Sequence, residues 1–155
     1  MNKIDFSNKT FVTESSEETK KLGRDFAKSL TKGDIVCLYG DMGSGKTTFV
    51  QGLAEGLEIK QRIISPTFIM IRQYKARIND KGLMINDFYH IDLYRMGSKR
   101  DIESLGIEEI INNKDNIVVI EWAQNLKNLM PEKRIVVQFY YTGENKRKVT
   151  FALGF

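Results

Sequence analysis

Cysteine is nearly absent from this sequence: Cys37 is the only one. A single thiol cannot close an internal disulfide, and it argues against any Cys-based zinc site. Proline is almost as scarce. Pro66 and Pro131 stand alone, so no Pro-rich linker divides the chain. No run approaches the ~18 apolar residues that a membrane helix needs, so no membrane partner is expected. Residues 1–8 carry Asp5 and no apolar h-region, and no secretory leader is expected there. Charge of one sign is also in short supply. The 24 Lys and Arg outnumber the 20 Asp and Glu by enough for a net +4, which permits an anionic partner without demanding one. What remains is 155 residues, 41% hydrophobic and 28% charged, an ordinary globular mix. One domain over residues 1–155, in the cytoplasm, is the expectation.

The hydrophobic pattern sets the elements. Residues 9–13 alternate as a short strand does. Ser15 stands three before Glu18, a capping box, and Leu22, Gly23, Phe26, Ala27 and Leu30 fall on one face of the helix it opens. After the Gly33-Asp34 turn, Ile35-Val36-Cys37-Leu38-Tyr39 is a continuous apolar run, the mark of a strand buried on both faces. Phe49, Val50, Leu53, Ala54 and Leu57 then recur at helical spacing. Residues 68–77 and 83–92 read as strands around the hairpin loop Asn79-Asp80-Lys81-Gly82. Residues 98–113 are expected to be helical in part, with Ile102, Leu105 and Ile110 as the apolar positions. Ile117-Val118-Val119-Ile120 is a second buried strand. Residues 123–129 suggest a short helix closed by Pro131, and residues 134–141 and 148–152 a final hairpin. Buried strands alternating with helices, plus hairpins, predict an α/β fold with a mixed parallel and antiparallel sheet.

Between the first buried strand and its helix lies Gly40-Asp41-Met42-Gly43-Ser44-Gly45-Lys46-Thr47, a match to G-x-x-x-x-G-K-[ST]. Glycines let the backbone turn sharply and bring its N–H groups close to a pyrophosphate. Those groups and the helix N-terminus attract anions. Lys46 supplies a point charge for the outer phosphates, and the Thr47 hydroxyl is placed for Mg²⁺. This makes the fold a P-loop NTPase-like three-layer sandwich.

Such a site needs an acid on the metal side, at the end of a buried strand. Glu121 follows Ile117-Val118-Val119-Ile120 directly and can hold Mg²⁺ or orient water. Asp92 ends another strand, within His90-Ile91-Asp92-Leu93-Tyr94-Arg95, and can serve as base or metal-side ligand. His90, the only histidine, shares its face two residues away, though a lone histidine is more often structural. Arg95 is a candidate partner for a phosphate or a nearby acid. Ser65-Pro66-Thr67-Phe68 lies where nucleotide switch loops sit, with Thr67 as the group to reach the γ-phosphate; alone, it reads as a turn. Asn112-Asn113-Lys114-Asp115 has the wrong spacing for a guanine reader, and no D-x-x-G stands at a strand end, so a guanine-specific switch is not expected.

Taken together, the phosphate loop, Ser65-Pro66-Thr67-Phe68, His90-Ile91-Asp92-Leu93-Tyr94-Arg95 and Ile120-Glu121-Trp122 resemble, in order and interval, the TsaE family, known in some bacteria as YjeE or YdiB. The resemblance covers about residues 15–147. It implies a small ATPase acting in formation of N6-threonylcarbamoyladenosine beside the anticodon of tRNAs that read codons starting with A. In that scheme TsaC-type enzymes make threonylcarbamoyl-adenylate, the TsaD–TsaB pair transfers the group to tRNA, and TsaE binds the pair and hydrolyses ATP to reset it. The implied partners are therefore TsaD and TsaB, with tRNA reached through them and no DNA. The implied cofactors are ATP (or ADP) and Mg²⁺. Carried over by position, Gly43, Ser44, Gly45, Lys46, Thr47 and Thr48 hold the phosphates, Thr47 and Glu121 hold Mg²⁺, and Asp92 lies near the γ-phosphate. Arg147 matches a basic position at the nucleotide and Ser16 a position on the adenine side. Trp122 is placed beside the site. The chain departs from the family pattern just after it, at Ala123-Gln124.

Two other classes share these features. A small-molecule P-loop kinase has the loop and Mg²⁺, but no arginine-rich lid is apparent here. A nucleotide-switched tRNA-binding module would draw on Lys60, Arg62, Arg72, Lys75, Arg77 and residues 146–148, yet no RNP-type aromatic pattern accompanies these charges.

Overall fold

The two continuous apolar runs lie side by side. In the computed structural model, which describes residues 5–63, 71–77, 85–95 and 99–154, they form neighbouring parallel strands at the centre of the sheet. The chain runs β1 (Thr10–Thr13), α1 (Ser16–Ala27), β2 (Ile35–Tyr39), α2 (Lys46–Gly56), β3 (Ile71–Arg77), β4 (Ile85–Asp92), α3 (Lys99–Ser104), α4 (Ile107–Asn112) and β5 (Ile117–Glu121). A 3₁₀ segment (Ala123–Leu129), β6 (Arg134–Tyr141) and β7 (Arg147–Gly154) complete it. Among the described residues, seven strands form one sheet in the order β1-β7-β6-β2-β5-β4-β3. The inner four, β6, β2, β5 and β4, are parallel, while β3, β7 and β1 each join antiparallel. This is the mixed α/β sheet that the pattern predicts. Among the described residues no helix is long and apolar enough to cross a membrane.

Alternation along the inner strands builds two cores. Val36, Leu38, Phe88 and Val119 point to one face, where Phe26 of α1 and Phe49 and Leu53 of α2 cover them. Cys37, Ile91, Val118 and Ile120 point to the other, against Ile102, Ile107 and Leu126. Helix–sheet–helix layering follows directly, because strands apolar on both faces must be covered on both.

Helices α1 and α2 cross at very close range. A Cβ added to Gly52 would lie 1.9 Å from the Lys20 carbonyl oxygen, and one added to Gly23 2.2 Å from that of Phe49. Both obstacles are backbone, so the helices themselves would have to separate. Gly52→Ala is therefore expected to destabilise the fold by about 1–3 kcal/mol, the usual range for overpacking. Urea unfolding measures this, and an unchanged midpoint would contradict the close packing.

Local differences from the sequence pattern have physical causes. Ser15 Oγ accepts the Glu18 N–H at 3.1 Å, as a cap should, but the Glu18 carboxylate takes the N–H of Glu14 instead of closing back on Ser15. The stretch expected to be helical in part carries two short helices, Lys99–Ser104 and Ile107–Asn112. Gly106, at φ 71°, separates α3 from α4 and resets the helical phase. Ile102, Ile107 and Ile111 are buried as a result, while Leu105 and Ile110 are only partly covered. The stretch at 123–129 is 3₁₀ and kinked at Lys127 (φ 52°, ψ −120°), and it is entered through Trp122 in the left-handed region at φ 58°. Of the hairpin expected at 68–92, the pairing of β3 with β4 is present, and its loop at 79–82 lies outside the described residues.

Candidate functional site

The phosphate loop joins β2 to α2 at the C-terminal ends of the parallel strands, where open α/β sheets place their ligands. Gly45 takes φ 103°, a conformation that strains any L side chain, and α2 begins at the next residue. The unpaired N–H groups of the first turn of α2 thus open at the loop. Lys46 is buried at 7% exposure. Its ammonium donates to the carbonyls of Gly40 and, at 3.2 Å, Asp41, and lies 4.7 Å from the centre of the Trp122 ring. Burial lowers the Lys46 pKa, against the raising pull of the Glu121, Asp92 and Asp41 carboxylates.

Those two strand-end acids meet because of register. Asp92 is paired with Glu121 across β4 and β5. Each has the parity of the residues packed under α1 and α2 (Phe88 on β4, Val119 on β5), so both carboxylates face the loop side of the sheet. Both are 4% exposed. Buried carboxylates need partners. Asp92 Oδ1 accepts the Tyr94 N–H at 2.9 Å, and Glu121 Oε2 lies 2.6 Å from His90 Nε2.

A cleft of about 250 Å³ opens over this group. Of the residues singled out in the sequence, Gly43, Gly45, Lys46, Thr47, Thr48, Asp92, Glu121, Trp122 and Arg147 all line it. Arg147 reaches the loop from β7, donating from Nη2 to the Gly43 carbonyl at 3.0 Å, with its guanidinium 4.5 Å from the Tyr141 ring centre. Ser44 does not line the cleft. Its side chain is buried, and its N–H donates to the Asp41 carbonyl at 3.1 Å. Ser16 lines a smaller adjoining pocket of about 100 Å³, which shares Gly45, Thr48 and Arg147 with the cleft. Arg95 is exposed, and residues 65–68 lie outside the described residues.

Met42, inside the loop motif, and Tyr94 also line the cleft, though neither was given a role from sequence, and Thr19 and Asn145, missed there, line the adjoining pocket. Tyr94 stood within a segment already singled out. Asn145, in the turn between β6 and β7, gave no signal, because only the fold brings that turn over α2.

Among the described residues no three His, Cys, Asp or Glu side chains gather as metal ligands. Mg²⁺ does not require such a cage. It is usually held by one or two protein oxygens together with substrate phosphates and water. Thr47 and Glu121, on one cleft beside a phosphate loop, are a donor set of that kind.

Comparisons with known proteins point to one family. The profile of the family described as "Threonylcarbamoyl adenosine biosynthesis protein TsaE" matches residues 13–149. The tRNA threonylcarbamoyladenosine biosynthesis protein TsaE of Bacillus subtilis is 37% identical over 139 residues, covering 90% of this chain and 82% of the relative. Its counterpart in Nostoc sp. is 38% identical over 149 residues, covering 94% and 85%. That of Rickettsia conorii is 41% identical over 134 residues, covering 86% and 71%. The crystal structure of Bacillus subtilis YdiB superposes with a TM-score of 0.75 at 34% identity, covering 97% of this chain and 89% of that one.

Proposed function

Since the chain belongs to the TsaE family of tRNA threonylcarbamoyladenosine biosynthesis, we propose that it is a Mg²⁺-dependent ATPase accessory to the TsaD–TsaB pair. The observation that carries this reading is the meeting of Asp92 and Glu121, opposite each other on the loop-facing side of the sheet, in one cleft with Lys46 and Thr47.

In this reading the loop amides and the N-terminus of α2 receive the phosphates. Lys46 leaves the Gly40 and Asp41 carbonyls to pair with the outer phosphate oxygens. Thr47 and Glu121 would hold Mg²⁺, which would neutralise phosphate charge when bound. Asp92 accepts the proton of the attacking water as its oxygen bonds to the terminal phosphorus and the bond to the ADP oxygen breaks. Arg147, already anchored on the Gly43 carbonyl, adds positive charge at the loop. The adjoining pocket beside Ser16 is assigned to the adenosine end.

Lys46→Ala tests the nucleotide site. Charge-assisted hydrogen bonds contribute about 1.5–3 kcal/mol each. Losing them should weaken ATP binding by on the order of 100-fold. Calorimetry on the folded variant measures this, and wild-type affinity would refute the phosphate-loop reading. Phosphate release from ATP with no acceptor added separates an ATPase from a small-molecule kinase.

A further inference from the structure

The only histidine of the chain is fully buried, at 0% exposure, in the strand that carries Asp92. Register places His90 opposite Val119, so its ring reaches diagonally across to Glu121, two residues further along β5. Nε2 and Oε2 are 2.6 Å apart. An ionised carboxylate can only accept, so the ring nitrogen facing it donates. The other ring nitrogen, Nδ1, is buried and has no hydrogen-bond partner among the described residues. A side chain that merely filled the core would do so better without a nitrogen left unpaired. What the imidazole gains at this position is its bond to Glu121.

Glutamate has three rotatable bonds, and this one is buried near the Lys46 ammonium, where burial lowers the Lys46 pKa and the Glu121 charge pulls the other way. Left to itself, the carboxylate would be drawn onto that ammonium, which the phosphates need. A rigid ring fixed on β4 holds one oxygen back and leaves the other to the cleft that Glu121 lines. We propose that His90 is a positioning residue: its Nε2–H fixes one oxygen of Glu121 so that the other is presented to the Mg²⁺ site. Outer hydrogen bonds of this kind orient metal-binding side chains, and their loss typically costs 10- to 100-fold in metal affinity or activity. The inference rests on the reading that Glu121 holds Mg²⁺.

The test measures how much Mg²⁺ strengthens ADP binding, by calorimetry with and without the metal, so no turnover is required. His90→Leu keeps an apolar filler and should lose about 10- to 100-fold of that gain, with the loss confined to the Mg²⁺-dependent part. His90→Gln places an amide nitrogen near the position of Nε2 and should restore most of it. His90→Asn, whose amide falls short of Glu121, should not. The two amide variants decide the matter should His90→Leu fail to fold. Glu121→Gln separates the two layers of the argument. If it loses the Mg²⁺ gain while His90→Leu, or Asn in its place, retains it, the positioning role is overturned and the metal reading stands. If Glu121→Gln itself retains the gain, the metal reading falls and takes this inference with it.

Discussion

Asp92→Asn and Glu121→Gln are each expected to lower ATP hydrolysis by about 10²- to 10⁴-fold, the usual contribution of a positioned acid or base. A neutral amide accepts a proton poorly and cannot balance a divalent cation. The side chains are nearly isosteric, and both positions are almost fully buried, so the packing around them should be kept. Nucleotide affinity measured without Mg²⁺ should fall far less than hydrolysis. In the proposed reading the phosphates are held by the loop, the α2 N-terminus and Lys46, none of which these changes remove. Phosphate release and calorimetric binding on the same variants give the split. An active Asp92→Asn protein would reduce residues 90–95 to a structural segment, whereas an active Glu121→Gln protein would remove the metal-side acid.

The second large effect concerns partners. Among the described residues, the rim of the cleft carries exposed side chains. Met42 is 71% exposed, Tyr94 is 44% exposed, and Tyr94 leans on the half-buried Trp122 with ring centres 4.9 Å apart. Apolar and aromatic groups left at the mouth of a catalytic cleft suit a protein contact that completes it. Groups supplied by a partner raise phosphate-loop hydrolysis by about 10³–10⁵ in the best cases. Hydrolysis by the chain alone should therefore be slow, and adding TsaD and TsaB together should raise it several-fold or more. An unchanged rate in a mixture where the complex has demonstrably formed would refute the idea that the partners complete this site.

The layers of the fold were legible because their signals are local. Ile35 to Tyr39 and Ile117 to Ile120 are too apolar for anything but strands buried on both faces, and the loop between Gly40 and Thr47 is defined by residue type and spacing. The site was legible as a set of residues but not as an arrangement. Asp92 and Glu121 each stood out at a strand end, yet their pairing depends on the register of β4 against β5, which no local pattern encodes. The contact of His90 with Glu121 was hidden for the same reason: the two are 31 residues apart. The break at Gly106 was missed because isoleucines on both sides of it keep a plausible helical spacing, and only the left-handed turn shows that they belong to two helices. Asn145 was illegible because a polar residue in a hairpin turn looks like any other until the turn is folded over α2.

In the proposed function, ATP hydrolysis at this cleft drives repeated rounds of tRNA modification. The most direct measurement counts N6-threonylcarbamoyladenosine formed per TsaD–TsaB complex, with tRNA, threonylcarbamoyl-adenylate and ATP in excess. The chain is supplied as wild type, supplied as Lys46→Ala, or left out. Repeated turnover should occur with the wild type and fail in the other two arms. If Lys46→Ala supports as many turnovers as the wild type, hydrolysis here does not drive the cycle and the proposed role is wrong.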